Sequence, residues 1–462
     1  MEEENTLKQV SAEKGDWCSG PVLGNMLRFA FPLILAGLLQ LLFNAADLVV
    51  VGRFCGSSAM AAVGATGYLT GLFINFFWGI TVGTGVAASH AIGAQNTREQ
   101  KAIVDDSMIL GLSSGLLLTV LGIVFSKPLL QKLGTPEDIL PMSVTYIRLY
   151  FLSTPFIMLY DFGTSLLGAA GDSKNPLRYL SLAGGLNVVL NVVFVTVFRM
   201  GVAGVAIAST LTQALATLLV LRNLMRRQGG IRLELKQIRV NWPLMGKILR
   251  IGLPAGFQNV MFSVSNLVIQ SSVNSFGSAA VSGVSAANSL ESFIWVSMNA
   301  FAQAAQNFTG RNLGAGKPER LRRITVTSVL SELVIAAFLG GVVCLFGRAL
   351  LGIYITDSAE AVAFGMIHLL YFALPYFLCG INDVLCAVIR GMGYSLLPLL
   401  VSVVGIIGTR LTWVYTYFAD AAHHTMEKLL VCYPLSWAVA SLMSLVGLLI
   451  LARRRLSERT VR

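Results

Sequence analysis

Polar and apolar residues are not interleaved along this chain. They fall into blocks, with apolar runs recurring from residue 27 to residue 452 and only short polar breaks between them. An α-helix needs about 20 apolar residues to cross the hydrocarbon core of a bilayer. Twelve runs reach that length, near 27–50, 59–91, 105–127, 142–168, 176–198, 202–225, 246–275, 280–309, 324–354, 361–389, 394–418 and 429–452. Several contain Gly, Pro, Asn or Gln, so their ends are less sharply marked than their number. The pattern therefore predicts an all-α integral membrane protein of twelve transmembrane helices, with no soluble domain.

The blocks themselves repeat. Leu27-Arg-Phe-Ala-Phe-Pro32 answers Leu249-Arg-Ile-Gly-Leu-Pro254 at a shift of 222 residues, and Gly171-Asp-Ser-Lys-Asn-Pro176 answers Gly393-Tyr-Ser-Leu-Leu-Pro398 at the same shift. Between them, Phe54-Cys-Gly-Ser-Ser-Ala59 answers Phe276-Gly-Ser-Ala-Ala280 once Cys55 is skipped, and Ile92-Gly-Ala-Gln-Asn-Thr-Arg98 answers Leu313-Gly-Ala-Gly-Lys-Pro-Glu319. Two pseudo-symmetric six-helix bundles are expected. Six is even, so both enter the membrane from the same side, a plan used by secondary transporters that rock two halves about a central site. The predicted organisation is an N-terminal segment over 1–26, a first bundle over 27–225, a basic linker over 226–245, a second bundle over 246–453 and a basic tail over 454–462.

Charge supports this picture. Only 12% of the 462 residues are charged, against about 25% in a soluble domain. The net charge of +11 is not a nucleic-acid signature, because 26 of the 34 Lys and Arg fall in the termini, the even-numbered loops and the run ends that adjoin them. By the positive-inside rule both termini and the linker are expected in the cytoplasm, with the chain in the cell membrane. The start, Met1-Glu2-Glu3-Glu4, lacks the basic-then-apolar form of a cleaved signal peptide, so the first helix is expected to act as the insertion signal.

Against so apolar a background, intramembrane polar residues mark chemistry. An ionised carboxylate at mid-bilayer costs about 2.5–3.5 kcal/mol even on the lenient insertion scale, and such groups usually serve ion or proton pathways. Asp47 is one. Gln40, Asn44 and Asp47 are spaced four and three apart, on one face of the first helix, and Asn187 and Asn191 share a face of the fifth. If the faces meet, amides ring a carboxylate, which suits a sodium ion or an exchangeable proton; the plainer alternative is a protonated Asp tying two helices together. The position answering Asp47 in the second half is Ile269, and helix seven carries Asn259, Ser263, Asn266, Gln270 and Asn274 instead, as a substrate path or as glue between helices. Asp161 and Asp383 are repeat-related and expected to pair with Arg148 or Arg390. Glu291 is the carboxylate of the second half best placed to meet a cationic substrate, and Glu332, on a peripheral helix, is a weaker candidate. Arg148 and Arg410 are the basic residues inside predicted helices, and Arg410 joins Gln40, Gln258, Asn266, Gln270 and Glu291 as a substrate-path candidate.

Three motifs carry nothing. Gly83-Thr-Gly-Val-Ala-Ala88 matches a dinucleotide fingerprint only in letters, since no strand precedes it, and Gly79 and Gly83 there suit close helix packing. Gly314-Ala-Gly-Lys-Pro318 lacks the Ser or Thr of a phosphate loop, so transport is expected to run on an ion gradient without a cofactor. His423-His424 is expected to be solvated in an outer loop. The six cysteines lack metal-ligand spacing and read as free thiols.

The ordered set Pro32, Gln40, Phe43-Asn44, Asp47, Val51-Gly52, Gly201-Val-Ala-Gly-Val-Ala206, Asn312-Leu-Gly-Ala-Gly-Lys-Pro-Glu-Arg320 and Ile389-Arg-Gly-Met-Gly393 resembles the multidrug and toxic compound extrusion (MATE) family over nearly the whole chain. The resemblance implies a V-shaped pair of six-helix bundles that exports amphipathic, often cationic, compounds in exchange for H+ or Na+. It carries the family's first-bundle acidic site onto Asp47, with Asn187 as partner. The sequence departs from it at Asn191, where many members have a second Asp, and near Gln258, where some carry a carboxylate; proton and sodium both stay open, and a metal ligand at Asp47 is expected only for sodium. Expected partners are a small-molecule substrate and the bilayer, with one chain as the working unit. A flippase of a lipid-linked or carbohydrate substrate, as in sister families, is the alternative, and a membrane enzyme is excluded for want of a nucleophile-base pair or metal cluster.

Overall fold

The structure, a computed structural model, describes residues 17–356 and 358–460, so the acidic start lies outside the described residues. These are helical almost throughout, with no strand among them. That is what a bilayer demands, since it offers backbone N–H and C=O groups no partner other than the helix itself. The helices are α1 (Val22–Cys55), α2 (Ser57–Gly93), α3 (Thr97–Lys132), α4 (Leu140–Leu152), α5 (Thr154–Ala169), α6 (Lys174–Val192), α7 (Gly201–Arg226), α8 (Trp242–Asn274), α9 (Ser278–Gly314), α10 (Arg320–Leu345), α11 (Gly347–Tyr354), α12 (Ala359–Phe372), α13 (Tyr376–Gly391), α14 (Leu396–Leu400), α15 (Thr409–Thr412), α16 (Met426–Leu430) and α17 (Cys432–Thr460). Val193–Val197, Val401–Gly408 and Trp413–Phe418 are π-helical.

Among the described residues eight helices are long and apolar enough to span a membrane, and two more spans come as bent pairs, α4 with α5 at 44° and α12 with α13 at 45°. The seventh and eighth predicted segments are also long helices, α8 and α9, but polar enough to fall short of that test. Leu112, Leu116, Val120 and Val124, four apart along α3, stay exposed, an apolar stripe suited to lipid.

The internal repeat is written into the backbone. Gly56 and Gly277, ahead of α2 and α9, have φ of 89° and 90°; Gly171 and Gly393, after α5 and α13, have 86° and 93°; and Gln95 and Gly316, after α2 and α9, have 53° and 70°. The two bends also correspond, near Pro155 in one half and Pro375 in the other.

Two compact units result, cut at 30/31 and 256/257 instead of at the linker 226–245. One contains Phe31–Gly256. In it the first half of α8 packs on α2 so tightly that a Cβ on Gly79 would lie 2.4 Å from Gly256 Cα, and one on Gly83 would lie 2.1 Å from the Ile248 carbonyl oxygen. The basic linker belongs to this unit as well. Lys101 Nζ meets Glu234 at 2.6 Å and Lys247 Nζ meets Glu99 at 3.0 Å, while Arg227 pairs with Asp172. The Lys101 ammonium holds the Glu234 carboxyl below its ordinary range. Asp106 accepts the Asn241 backbone N–H at 2.8 Å, and Ile231 and Leu233 are buried in the same hydrophobic cluster as Ile103 and Phe162.

The second unit takes the described residues up to Ala30 with those from Phe257 onward. Trp17 stacks on Phe308 with centroids 4.2 Å apart and lies under Arg311 at 5.1 Å, and Asn312 donates to the Trp17 carbonyl at 3.0 Å. Each half therefore lends the start of its leading helix to the other unit, and the changeovers fall beside Pro32 and Pro254.

Candidate functional site

In the Phe31–Gly256 unit the predicted polar faces of α1 and α6 do meet. Gly184 makes room: a Cβ there would sit 1.9 Å from the Phe43 ring, so the ring occupies the notch and sets the axial register of the two helices. One turn on, Asn191 Nδ2 donates to Asp47 Oδ1 at 2.5 Å and to Asn187 Oδ1 at 3.0 Å. Asn187 Nδ2 passes the chain on to Ser209 Oγ at 3.3 Å and Thr212 Oγ1 at 3.4 Å on α7. A hydrogen-bonded relay thus runs from the carboxylate on α1 through two buried amides to α7. The carboxylate's partner is Asn191, and Asn187 stands one link away. Asn44 bonds Gln40 at 3.1 Å and takes no part in the relay.

Asn191 has no exposed surface, and with both amide hydrogens committed its Oδ1 has no hydrogen-bond partner among the described residues. A buried unpaired carbonyl costs about 1–3 kcal/mol. It fits a site that at another stage presents that oxygen with a donor or a cation. Asp47 Oδ1, Asn191 Oδ1 and Asn187 Oδ1 are hard oxygen ligands of the kind sodium takes, and a protonated Asp47 supplies the donor equally well.

The second unit is arranged differently. Arg410, on the single α-helical turn α15 between two π-helical stretches, is only 2% exposed. Its Nε donates to Ser436 Oγ at 3.1 Å, its Nη1 to Ser265 Oγ at 3.2 Å and to Asn266 Oδ1 at 3.0 Å, and its guanidinium lies 4.5 Å above the Tyr433 ring. Glu291, expected to be the second-half carboxylate best placed for a cationic substrate, has its Oε1 2.7 Å from His368 Nε2, both side chains being buried. The distance is that of a close contact, while the angles miss those of a hydrogen bond, so proximity is the firm fact. Phe372 stacks on the imidazole at 5.2 Å, and Tyr433 meets it edge-on at 6.2 Å. Gln258 bonds Ser402 at 2.7 Å, and Gln270 bonds Asn274 at 3.1 Å.

Other expectations need correction. Among the described residues no ion pair joins Asp161 to Arg148 or Asp383 to Arg390; Arg148 donates to Ser126 Oγ at 3.3 Å, Arg390 donates to the Cys386 carbonyl at 3.3 Å, and the Cys379 thiol approaches Asp383 at 3.8 Å. Arg148 thus reaches a hydroxyl on α3, and Arg390 a carbonyl one turn back on its own helix. Glu332 on α10 is fully buried, its carboxyl against Gly380 and without a hydrogen-bond partner among the described residues. Of the outer-loop histidines, His424 is exposed, its ring 4.5 Å from that of Phe418, and His423 is half-buried against Tyr417 at 4.1 Å. Among the described residues none of the six cysteines is in a disulfide. Sequence reasoning missed His368, Ser265, Ser436 and Tyr433. Of these, only the lone His inside an apolar run carried a signal.

Comparison with known proteins decides the family. The MatE family model matches residues 32–193 and 254–416, two stretches that begin at the changeover prolines and contain Asp47, Asn187 and Asn191 in one and Ser265, Asn266 and Arg410 in the other. The chain belongs to the MATE family. It is 30% identical over 404 residues to "Probable multidrug resistance protein YpnP" of Bacillus subtilis (strain 168), covering 87% of this chain and 88% of that protein. A FAD transporter of Shewanella oneidensis is 25% identical over 348 residues, covering 73% of this chain and 76% of that one. Among solved structures, a MATE crystallised in complex with MaL6 superposes with a TM-score of 0.87 at 21% identity, over 96% of this chain and 99% of that one. This MATE protein is thus a multi-pass membrane transporter and not an enzyme.

Proposed function

We propose that this MATE protein is a cation-coupled antiporter that exports small organic compounds in exchange for H+ or Na+ by alternating access, with Asp47 as the coupling carboxylate and Asn191 as its direct partner. The observation that carries the reading is the 2.5 Å contact between them, set inside a buried amide relay. When Asp47 takes a proton or a sodium ion, Asn191 no longer needs to donate to it. The relay to Asn187, Ser209 and Thr212 rearranges, and α1 shifts relative to α6 and α7. Helix α1 contains Pro32, where a missing backbone hydrogen bond makes bending cheap. Family membership supports the export direction and the small-molecule cargo, and the positive-inside pattern supports cytoplasmic termini.

The test is uptake of a transported dye into inside-out vesicles, driven in turn by an imposed pH gradient and by a sodium gradient, for wild type and Asp47→Asn. Transport under one gradient and its loss in a well-folded Asp47→Asn protein are expected. Equal uptake by the variant would remove Asp47 from the mechanism.

A further inference from the structure

The repeat places Arg410 where the first half has its ion site. Asn266, which accepts from Arg410, is the counterpart of Asn44 on the shift of 222, and Thr409, beside Arg410, is the counterpart of Asn187. Both segments run into π-helix, Val193–Val197 in one half and Trp413–Phe418 in the other. Such stretches often sit at functional sites. So in each unit a side chain on the π-bearing segment clasps the leading helix at a matching level, Asn191 reaching Asp47 in one and Arg410 reaching Ser265 and Asn266 in the other. In the first the group with charge to offer is an acid, in the second a base.

The base lacks a counter-ion. No carboxylate lies within 4.0 Å of Arg410 among the described residues. Glu291 is engaged by His368, and Asp383 lies against Cys379. The partners of Arg410 are three neutral oxygens and an aromatic face, and they use Nε and Nη1 only; the two N–H groups on Nη2 donate to nothing among the described residues. Neutral oxygens orient a guanidinium without cancelling its charge. A purely structural strut in an apolar bundle would be served better by a paired arginine or an uncharged residue. The two remaining N–H groups on Nη2 can donate to the oxygens of a carboxylate or phosphate, as charge-assisted bonds.

We propose that the second unit holds an anion-binding site at Arg410, which takes a carboxylate or phosphate group of a small organic cargo, so that the substrates include organic anions or zwitterions. The proposal rests on the transporter reading only in naming the ligand a cargo; the binding itself needs no gradient. Equilibrium binding to the detergent-solubilised full chain is measured by fluorescence anisotropy with 5-carboxyfluorescein, 4-methylumbelliferyl phosphate and the cationic dye rhodamine 6G. Arg410→Gln should weaken at least one anionic probe about 10-fold or more and leave rhodamine 6G within about twofold; which anionic probe responds separates carboxylate from phosphate. Since Arg410→Gln also removes bonds to Ser265, Asn266 and Ser436, wild-type protein is titrated in parallel with inorganic phosphate and with acetate at constant ionic strength, and displacement of the bound anionic probe is expected. Anionic probes that bind wild type and a folded Arg410→Gln alike, or that are not displaced, or that do not bind wild type at all, overturn the proposal. Asp47→Asn keeps anion binding if both readings hold. Loss of gradient-driven transport without loss of binding therefore belongs to the coupling site alone.

Discussion

Asn191 decides what Asp47 can do. Its amide gives one hydrogen to the carboxylate and the other to Asn187, so it is the only link of the relay that touches both. Asn191→Ala removes that link while leaving the acid in place, and gradient-driven transport should fall about tenfold or more at unchanged membrane level; unchanged transport would mean that the relay is structural. The sequence shows both amides on one face of α6 by their spacing of four. It cannot show which of them stands level with Asp47, because that depends on the axial offset of two helices. The offset is set by Phe43 in the notch over Gly184, a contact between residues 141 apart that leaves no local trace. The neighbour of Glu291 was hidden for the same reason, since His368 is 77 residues away.

At the scale of elements, the close approach of α2 and α8 depends on glycine. Where a Cβ would meet backbone 2.1 Å away, as at Gly83, no side chain can rotate aside and the helices must part. Gly83→Leu should destabilise the Phe31–Gly256 unit by about 1–3 kcal/mol, seen as a lower unfolding temperature of the purified protein. Gly185→Ala, with open space around it, is the neutral control. An equal effect of the two would contradict the packing described. Blocks of apolar residues were readable because a bilayer enforces length and apolarity on any spanning helix. Bends of 44° and 45° and the π-helical stretches were not, because they concern how carbonyls within one continuous apolar run choose their donors. The runs 246–275 and 280–309 were likewise placed as spanning helices, and they correspond to the long helices α8 and α9.

Across the whole molecule the duplication was plain, since matching stretches recur at shifts of 221 or 222 and three pairs of positive-φ positions recur with them. The exchange of leading segments was not, since it joins Trp17 to Asn312 over 295 residues. Trp17→Ala deletes the ring that stacks on Phe308 and should cost about 3–5 kcal/mol; thermal unfolding at or near the wild-type temperature would show that the N-terminal segment is not part of that core. The central claim is that Asp47 takes the coupling ion, and infrared difference spectroscopy on purified protein tests it most directly. Spectra between low and high pH, and between sodium-free and sodium-loaded states, should contain a carboxyl band that is absent in Asp47→Asn and shifted in Asn191→Ala. The same bands in Asp47→Asn as in wild type would contradict the account.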